Sequence, residues 1–249
     1  MTSADSLIIC SQEDDVVTLA LNRPEKRNAL NVDLFVELDD HLGRIEREAD
    51  QIGLVILRAN GPVFSAGADV QDRQRPPKRH FQAKTIERLA NLPQPVIAAV
   101  QGACFAGGLE LVLAADIIIA SESACFADTH ARWGLTPAWG LSQRLPRRVG
   151  TYKAREMMFT GRSYDGRQAE RMGLTNFCVA DALFETALAE LVGSICEGSP
   201  HSHRGNKRLL LDTDAMALKQ GLAHEIYYAP GRATDVGKRL SMKFGLEDG

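Results

Sequence analysis

The stretch Pro95–Asp116, PVIAAVQGACFAGGLELVLAAD, constrains the fold more than any other part of the chain. Pro95–Val100 is an uninterrupted apolar run of strand length, and Leu109–Ala115 is a helix pattern without a breaker. Between them lie Gly102-Ala103 and Ala106-Gly107-Gly108, small residues that let another group approach the backbone closely. Strand, small-residue loop and helix N-terminus are thus predicted in sequence. The first amides of such a helix have no intrahelical acceptor, and the helix dipole favours negative charge beside them. A developing oxyanion would fit there. Glu110 is the only charge in Gly102–Ala115. A carboxylate in apolar surroundings has a raised pKa and can do acid–base work, although capping the first helical turn accounts for it equally well at this point.

The rest of the chain alternates strand and helix signals. Strands are expected near Leu7–Cys10 and at Val16–Leu21, Gly53–Arg58, Asp116–Ser121, Ala124–Ala127 and Asn176–Val179. Asn22–Arg27 reads as a basic turn, and Asn28 as the cap of a helix through Val32–Ala49, with Leu34, Phe35, Leu38, Leu42 and Ile45 on one face. Further helices are expected at Phe81–Ala90, Gly150–Phe159, Ser163–Arg171 (capped by Ser163) and Ala182–Cys196. Asp72–His80 is polar, contains Pro76-Pro77 and reads as a loop, as does His130–Pro137. Ser199–Gly249 is a helical tail broken at Pro200 and near Pro230-Gly231. Alternation of this kind indicates α/β architecture.

Composition excludes several classes. A net charge of −3, from 29 basic and 32 acidic residues, gives no nucleic-acid or membrane-surface signature. The longest apolar stretch, Ala103–Ala120, is interrupted by Glu110 and Asp116, so no transmembrane helix is expected. Cys10, Cys104, Cys125, Cys178 and Cys196 are scattered and contain no C-x-x-C, which argues against a disulfide framework or a zinc site and for free thiols in a reducing cytoplasm. The N-terminal MTSADS is polar, unlike a signal peptide. No metal constellation is present; His201 and His203 are close in sequence but read as solvent-exposed.

Four pieces in order, Leu21–Asn31 (LNRPEKRNALN), Phe64–Val70 (FSAGADV), Val100–Asp116 and Phe126–Gly150, resemble the crotonase, or enoyl-CoA hydratase/isomerase, superfamily. The resemblance spans roughly Leu7 to Val192 and, more loosely, the tail. It implies the ClpP/crotonase-like spiral of ββα units, with a core over residues 1–192 and a helical trimerisation region over 193–249. It also implies a homotrimer or a hexamer built as a dimer of trimers, action on an acyl-CoA thioester in fatty-acid metabolism, and no cofactor, coenzyme A being part of the substrate. By the same resemblance, the backbone N–H groups of Ala68 and Gly107 form the oxyanion hole. Arg23, Lys26, Arg27, Ala66, Asp69 and Val70 line the CoA site. Where many relatives carry a lysine after the Ala-Asp-aliphatic run this chain has Gln71, and Lys238, Arg239 and Lys243 are candidates to supply the missing phosphate contact, from this subunit or a neighbour.

The chain departs from the family pattern at one chemically important place. Two-glutamate hydratases carry one acid in the Gly-Gly-x-Glu stretch, here Glu110, and a second shortly after a Phe126-like strand. His130 occupies that second position, with Asp128 two residues before it and Arg132 two after. A Glu110–His130 acid–base pair is chemically reasonable, because imidazole titrates near neutrality and a carboxylate neighbour raises its pKa. Asp128 is the next candidate for the replaced acid, and a structural turn residue otherwise. Trp133 and Trp139 read as packing groups or acyl-pocket walls. Four outcomes stay open: hydration of a trans-2-enoyl-CoA by Glu110 and His130; isomerisation by Glu110 as single base; hydrolysis of the thioester; or acyl-CoA binding without chemistry.

Overall fold

The computed structural model describes residues 6–244. The chain begins with a hairpin, β1 (Ile8–Glu13) and β2 (Val16–Leu21), followed by helix α1 (Val32–Arg47). Then come β3 (Leu54–Ala59), α2 (Phe81–Ala90), β4 (Val96–Val100), β5 (Ala103–Phe105) and α3 (Gly107–Val112). β6 (Ile117–Ser121) and β7 (Cys125–Ala127) lead into α4 (Leu141–Val149) and α5 (Thr151–Thr160). β8 (Tyr164–Asp165), α6 (Gly166–Arg171) and β9 (Phe177–Val179) complete the sheets. α7 (Phe184–Cys196), α8 (Pro200–Thr213), α9 (Leu218–Tyr228) and α10 (Val236–Phe244) follow.

The strands divide between two sheets. One has the order β1-β2-β3-β4-β6-β9, parallel except for the opening hairpin. The other has the order β5-β7-β8. Successive passes of the chain send one strand to each sheet, as β4 then β5 and β6 then β7, before returning through helices. This is the spiral of strand-strand-helix units expected from the resemblance.

Period-two alternation decides which side chains face which layer. Val55, Leu57, Val96, Ala98, Val100 and Ile118 point into the main core with Leu34, Phe35, Leu38 and Leu42 of α1 and Ile86 and Leu89 of α2. Leu54, Ile56, Ile97, Ala99 and Ile119 point the other way, against Phe184 and Leu188 of α7. With both faces covered, the strands read as continuous apolar runs. α7 crosses residue 192, and the break between helices falls at Gly198-Ser199. α8 is tied to the core by Lys207, whose Nζ donates to the Gln94 carbonyl at 3.0 Å and pairs with Asp116 at 2.7 Å. Arg204 donates to the Ala49 carbonyl at 2.8 Å.

Several local readings change. Asn31, not Asn28, caps α1, its side chain accepting from Leu34 N at 3.1 Å. Asn28 is fully buried with φ +51°, accepting from Arg23 N and donating to the carbonyls of Asn60 and Val63. Asp165 rather than Ser163 caps α6, in a capping box with Gln168. Leu141–Val149, not assigned from the sequence, forms a helix with Pro146 within it, and the break expected at Pro200 falls just before it, Pro200 being the first residue of α8.

Candidate active site

Three loops meet at one edge of the smaller sheet. Ser65 N donates to Ala103 O and Phe105 N to Ser65 O, so the 65–68 segment runs beside β5 like a fourth strand. Ala66 N donates to Arg27 O, Leu30 N to Gly67 O and Asp69 N to Leu30 O, which ties the same segment to the 23–30 turn. The buried Ser65 hydroxyl donates to Asn28 O and accepts from Gly67 N. Gly67, at φ +101°, makes the turn that a side chain would oppose.

This zipping leaves two amides unused. Among the described residues, no hydrogen bond within the protein employs the N–H of Ala68 or of Gly107. They are close: a methyl built on Gly107 would lie 3.1 Å from Ala68 N and 2.5 Å from the Trp139 ring. Ala106, held at φ +45° and ψ −112°, turns the chain from β5 into α3 and so sets the direction of the Gly107 amide. A non-glycine residue in that region is strained, and strain of this kind persists where the surroundings over-determine the backbone. Ala68 and Gly107 thus place two backbone N–H groups, without acceptors among the described residues, on neighbouring loops.

Glu110, one turn into α3, is 1% exposed. Its Oε1 accepts from Trp139 N at 2.7 Å and Leu141 N at 3.2 Å, which aims Oε2 at His130 Nε2, 3.7 Å away. His130 opens a 3-10 turn, His130–Trp133, just beyond β7. Its Nδ1 lies 2.5 Å from Oδ1 of Asp128, which is itself 1% exposed, and His130 N donates to the same oxygen at 3.1 Å. Burial raises the Glu110 pKa, opposed by the donors Trp139 and Leu141 and by His130. The His130 pKa is raised as well, chiefly by its hydrogen bond with Asp128, with burial acting against it and Glu110 adding to it. Asp128, ranked second from the sequence, touches the imidazole directly. Its ring-side contact depends on side-chain direction, which sequence spacing does not carry.

Trp139 is a wall of the site, half-buried, edge-on to Phe35 at a centroid distance of 5.1 Å. A cavity of about 470 Å³ beside it is lined by Ala83, Glu87, Gln143, Arg144, Arg147 and Asp214. Trp133 is 74% exposed.

The residues expected to hold CoA are placed unequally. Lys26, Arg27, Ala66 and Val70 are exposed on and around the 65–68 segment. Arg23 turns inward, donating to Ala29 O and pairing with Asp69 at 3.0 Å, so both hold the loop. Arg73, Arg75, Lys78 and Arg79, read only as part of a polar loop, are exposed cations continuing from Val70. Of the tail cations, Arg239 pairs with Asp235 at 2.7 Å. Among the described residues, no cluster of His, Cys, Asp and Glu is arranged to hold a metal ion, and no helix is long and apolar enough to cross a membrane.

Comparison with known proteins identifies the family. The family model "Enoyl-CoA hydratase/isomerase" matches residues 11–235. Short-chain-enoyl-CoA hydratase of Clostridium acetobutylicum is 32% identical over 209 residues, covering 82% of this chain and 80% of that protein. The crystal structure of enoyl-CoA hydratase from Bacillus anthracis superposes with a TM-score of 0.89 at 33% identity, covering 96% of each chain. A putative enoyl-CoA hydratase from Thermobifida fusca, solved in complex with acetoacetyl-CoA, gives a TM-score of 0.79 at 27% identity, covering 91% of this chain and 94% of that one. With a family model matched over most of its length and relatives above 30% identity, the chain belongs to the enoyl-CoA hydratase/isomerase family.

Proposed function

We propose that the protein is an enoyl-CoA hydratase that adds water to a trans-2-enoyl-CoA, with Glu110 and His130 as its acid–base pair. The observation that carries this reading is the 3.7 Å separation of Glu110 Oε2 and His130 Nε2 next to two unused amides. That distance is too long for a direct hydrogen bond, yet one water oxygen can contact both atoms. The thioester carbonyl accepts from Ala68 N–H and Gly107 N–H. Glu110 takes a proton from the water as its oxygen bonds to Cβ. The electron pair of the double bond moves toward the thioester, and negative charge collects on the carbonyl oxygen. Preorganised donors there are each worth about 3–4 kcal/mol of barrier. His130 in its protonated form delivers a proton to Cα, and proton transfer from Glu110 to His130 resets the pair. The raised His130 pKa supports this, since it favours the protonated ring at neutral pH.

The CoA portion lies against Lys26, Arg27, Ala66 and Val70, with Arg23 and Asp69 shaping the loop from behind. Assembly as a homotrimer or hexamer is part of the same proposal. It is supported by the apolar surface that α8 and α9 leave open: Leu210, Leu218, Leu222 and Ile226 are between 54% and 79% exposed. The five free cysteines support a reducing, cytoplasmic location.

Incubation with trans-2-enoyl-CoAs of short, medium and long chain, read by mass, tests the reading. A mass gain of one water, lost in both Glu110→Gln and His130→Ala, is expected. Isomerisation without mass change, release of free CoA, or binding with no product at any chain length would each overturn it.

A further inference from the structure

The oxyanion loops and Glu110 account for half of the proposed machinery; the other half is a histidine on a short turn. An imidazole there presents two nitrogens, can rotate about its bond to Cβ, and when neutral has two tautomers. Water held between Glu110 and a ring of undefined orientation would have no fixed geometry. The carboxyl beside it removes this freedom.

We propose that Asp128 is the positioning residue of the site: it holds the His130 ring by Nδ1, so that Nε2 alone faces Glu110. The inference rests on the hydratase reading for its catalytic consequence, but not for its geometry. Three observations carry it. Asp128 Oδ1 receives both the His130 backbone N–H, at 3.1 Å, and the ring Nδ1, at 2.5 Å, so main chain and side chain are clamped by one atom. The opposite ring nitrogen is the one that lies 3.7 Å from Glu110. Asp128 is also 1% exposed, and its Oδ2 has no hydrogen-bond partner among the described residues. Leaving a buried carboxylate oxygen unpaired is costly, and a turn residue with no other task could be any small polar side chain.

The charged surroundings of His130 are few. Asp128 reaches it from the end of β7 and Glu110 from α3. Arg132, on the same turn, directs its guanidinium to the Gly161 carbonyl at the end of α5. From α4, Arg144 donates to the Trp139 carbonyl and acts electrostatically on Glu110. A cation held between two carboxylates is the arrangement that results. Asp128 makes the ring a donor at Nδ1 in both of its protonation states. The proton that leaves and returns during turnover is therefore the one on Nε2. The imidazole differs from a carboxyl group in shape, but with one nitrogen occupied it presents a single exchangeable proton toward the water, as a carboxylic acid does.

The test is nitrogen-detected NMR on histidine-labelled protein, with the His130 signals assigned by their absence in His130→Gln. No substrate is needed, so the result is separable from success or failure of the hydratase reading. Wild type should show a protonated Nδ1 throughout the titration, with only Nε2 losing its proton as the pH rises. In Asp128→Asn, the His130 pKa should fall by about one to two units, the usual effect of removing an opposite charge in contact. With an active substrate, Asp128→Asn should lower kcat by about tenfold or more with little change in KM, and move the alkaline limb of the pH profile to lower pH. An unprotonated Nδ1 in neutral wild-type His130, or a His130 pKa unmoved by Asp128→Asn, would overturn the proposal. If that variant does not fold, the wild-type tautomer alone decides.

Discussion

Gly107→Ala adds one methyl at the point where three parts of the site touch. The new carbon falls 2.5 Å from Trp139 Cζ3 and 3.1 Å from Ala68 N. The backbone does not object: Gly107 is the first residue of α3, and alanine is the better helix former by up to about 1 kcal/mol. Packing does object. The ring cannot swing freely, because it is edge-on to Phe35 and its backbone N–H and carbonyl are engaged by Glu110 and Arg144. Overpacking of this kind costs about 1–3 kcal/mol, so the propensity gain is outweighed and a net loss of up to about 2 kcal/mol is expected. In a domain of this size that is a fall in Tm of several degrees, on the order of 2–4 °C per kcal/mol. Activity should suffer more than stability. The methyl intrudes on the space before the Ala68 amide, and losing one oxyanion donor costs about a hundred- to a thousand-fold in kcat. The assay is kcat/KM with a short enoyl-CoA beside thermal unfolding, for Gly107→Ala, Trp139→Ala and the double variant. Removing the indole should restore part of the stability lost to the methyl, a coupling of about 1 kcal/mol. It should not restore turnover, because the contact with Ala68 N persists. A Gly107→Ala protein with turnover within twofold of wild type would refute the placement of the oxyanion hole.

Other expectations follow from the same structure. Glu110→Gln keeps an acceptor for Trp139 N and Leu141 N, so it should fold normally while losing about a hundred- to ten-thousand-fold in turnover, measurable by loss of enoyl absorbance. His130 and Glu110 both have raised pKa values, so between the unfolded and folded values the native state binds more protons and stability falls as pH rises. The stability His130 contributes is complete below its unfolded pKa and lost above its folded one; urea midpoints of wild type and His130→Gln should differ more at about pH 5.5 than at about pH 9. Lys207→Met leaves Asp116 and the Gln94 carbonyl without their cation and should lower stability by about 3 kcal/mol in urea unfolding, the low end for breaking a buried pair, because Asp116 stays partly exposed.

What the sequence could show depended on how local the determinant is. β4 was legible because every one of its residues is buried, and α3 because it opens on the paired glycines Gly107-Gly108; the short β5 between them was not, since Ala103–Phe105 reads as part of a small-residue loop. The α1 cap was misread because Asn28 and Asn31 are equivalent as text. Only the positions of Asn60 and Val63 make Asn28 a buried bridge and free Asn31 to cap. α4 was not assigned from the sequence; it carries Pro146, whose missing N–H is tolerated in this short helix. Glu110 and His130 were singled out through the resemblance to the family, which implies acids at those two positions. Arg23 pointed inward instead of toward a ligand because Asp69, far along the chain, lies beside it. Asp128 was named but not given its place, since a contact two residues along depends on rotamers and not on order.

The proposed acid–base pair is assembled from unlike parts. Glu110 is bound into α3, held by two amides of a distant loop and surrounded by core. The second group rides on a turn outside β7, and its partner is only two positions away. The two halves therefore differ in how freely they can be altered over evolutionary time. Any replacement of Glu110 that lacks an acceptor at Oε1 leaves the Trp139 and Leu141 amides unpaired beside the proposed thioester cradle. In the proposed mechanism, replacing the residues at 128 and 130 together changes the proton chemistry and leaves the Ala68 and Gly107 amides untouched, so new reactions on the same bound acyl group are reachable through this one turn.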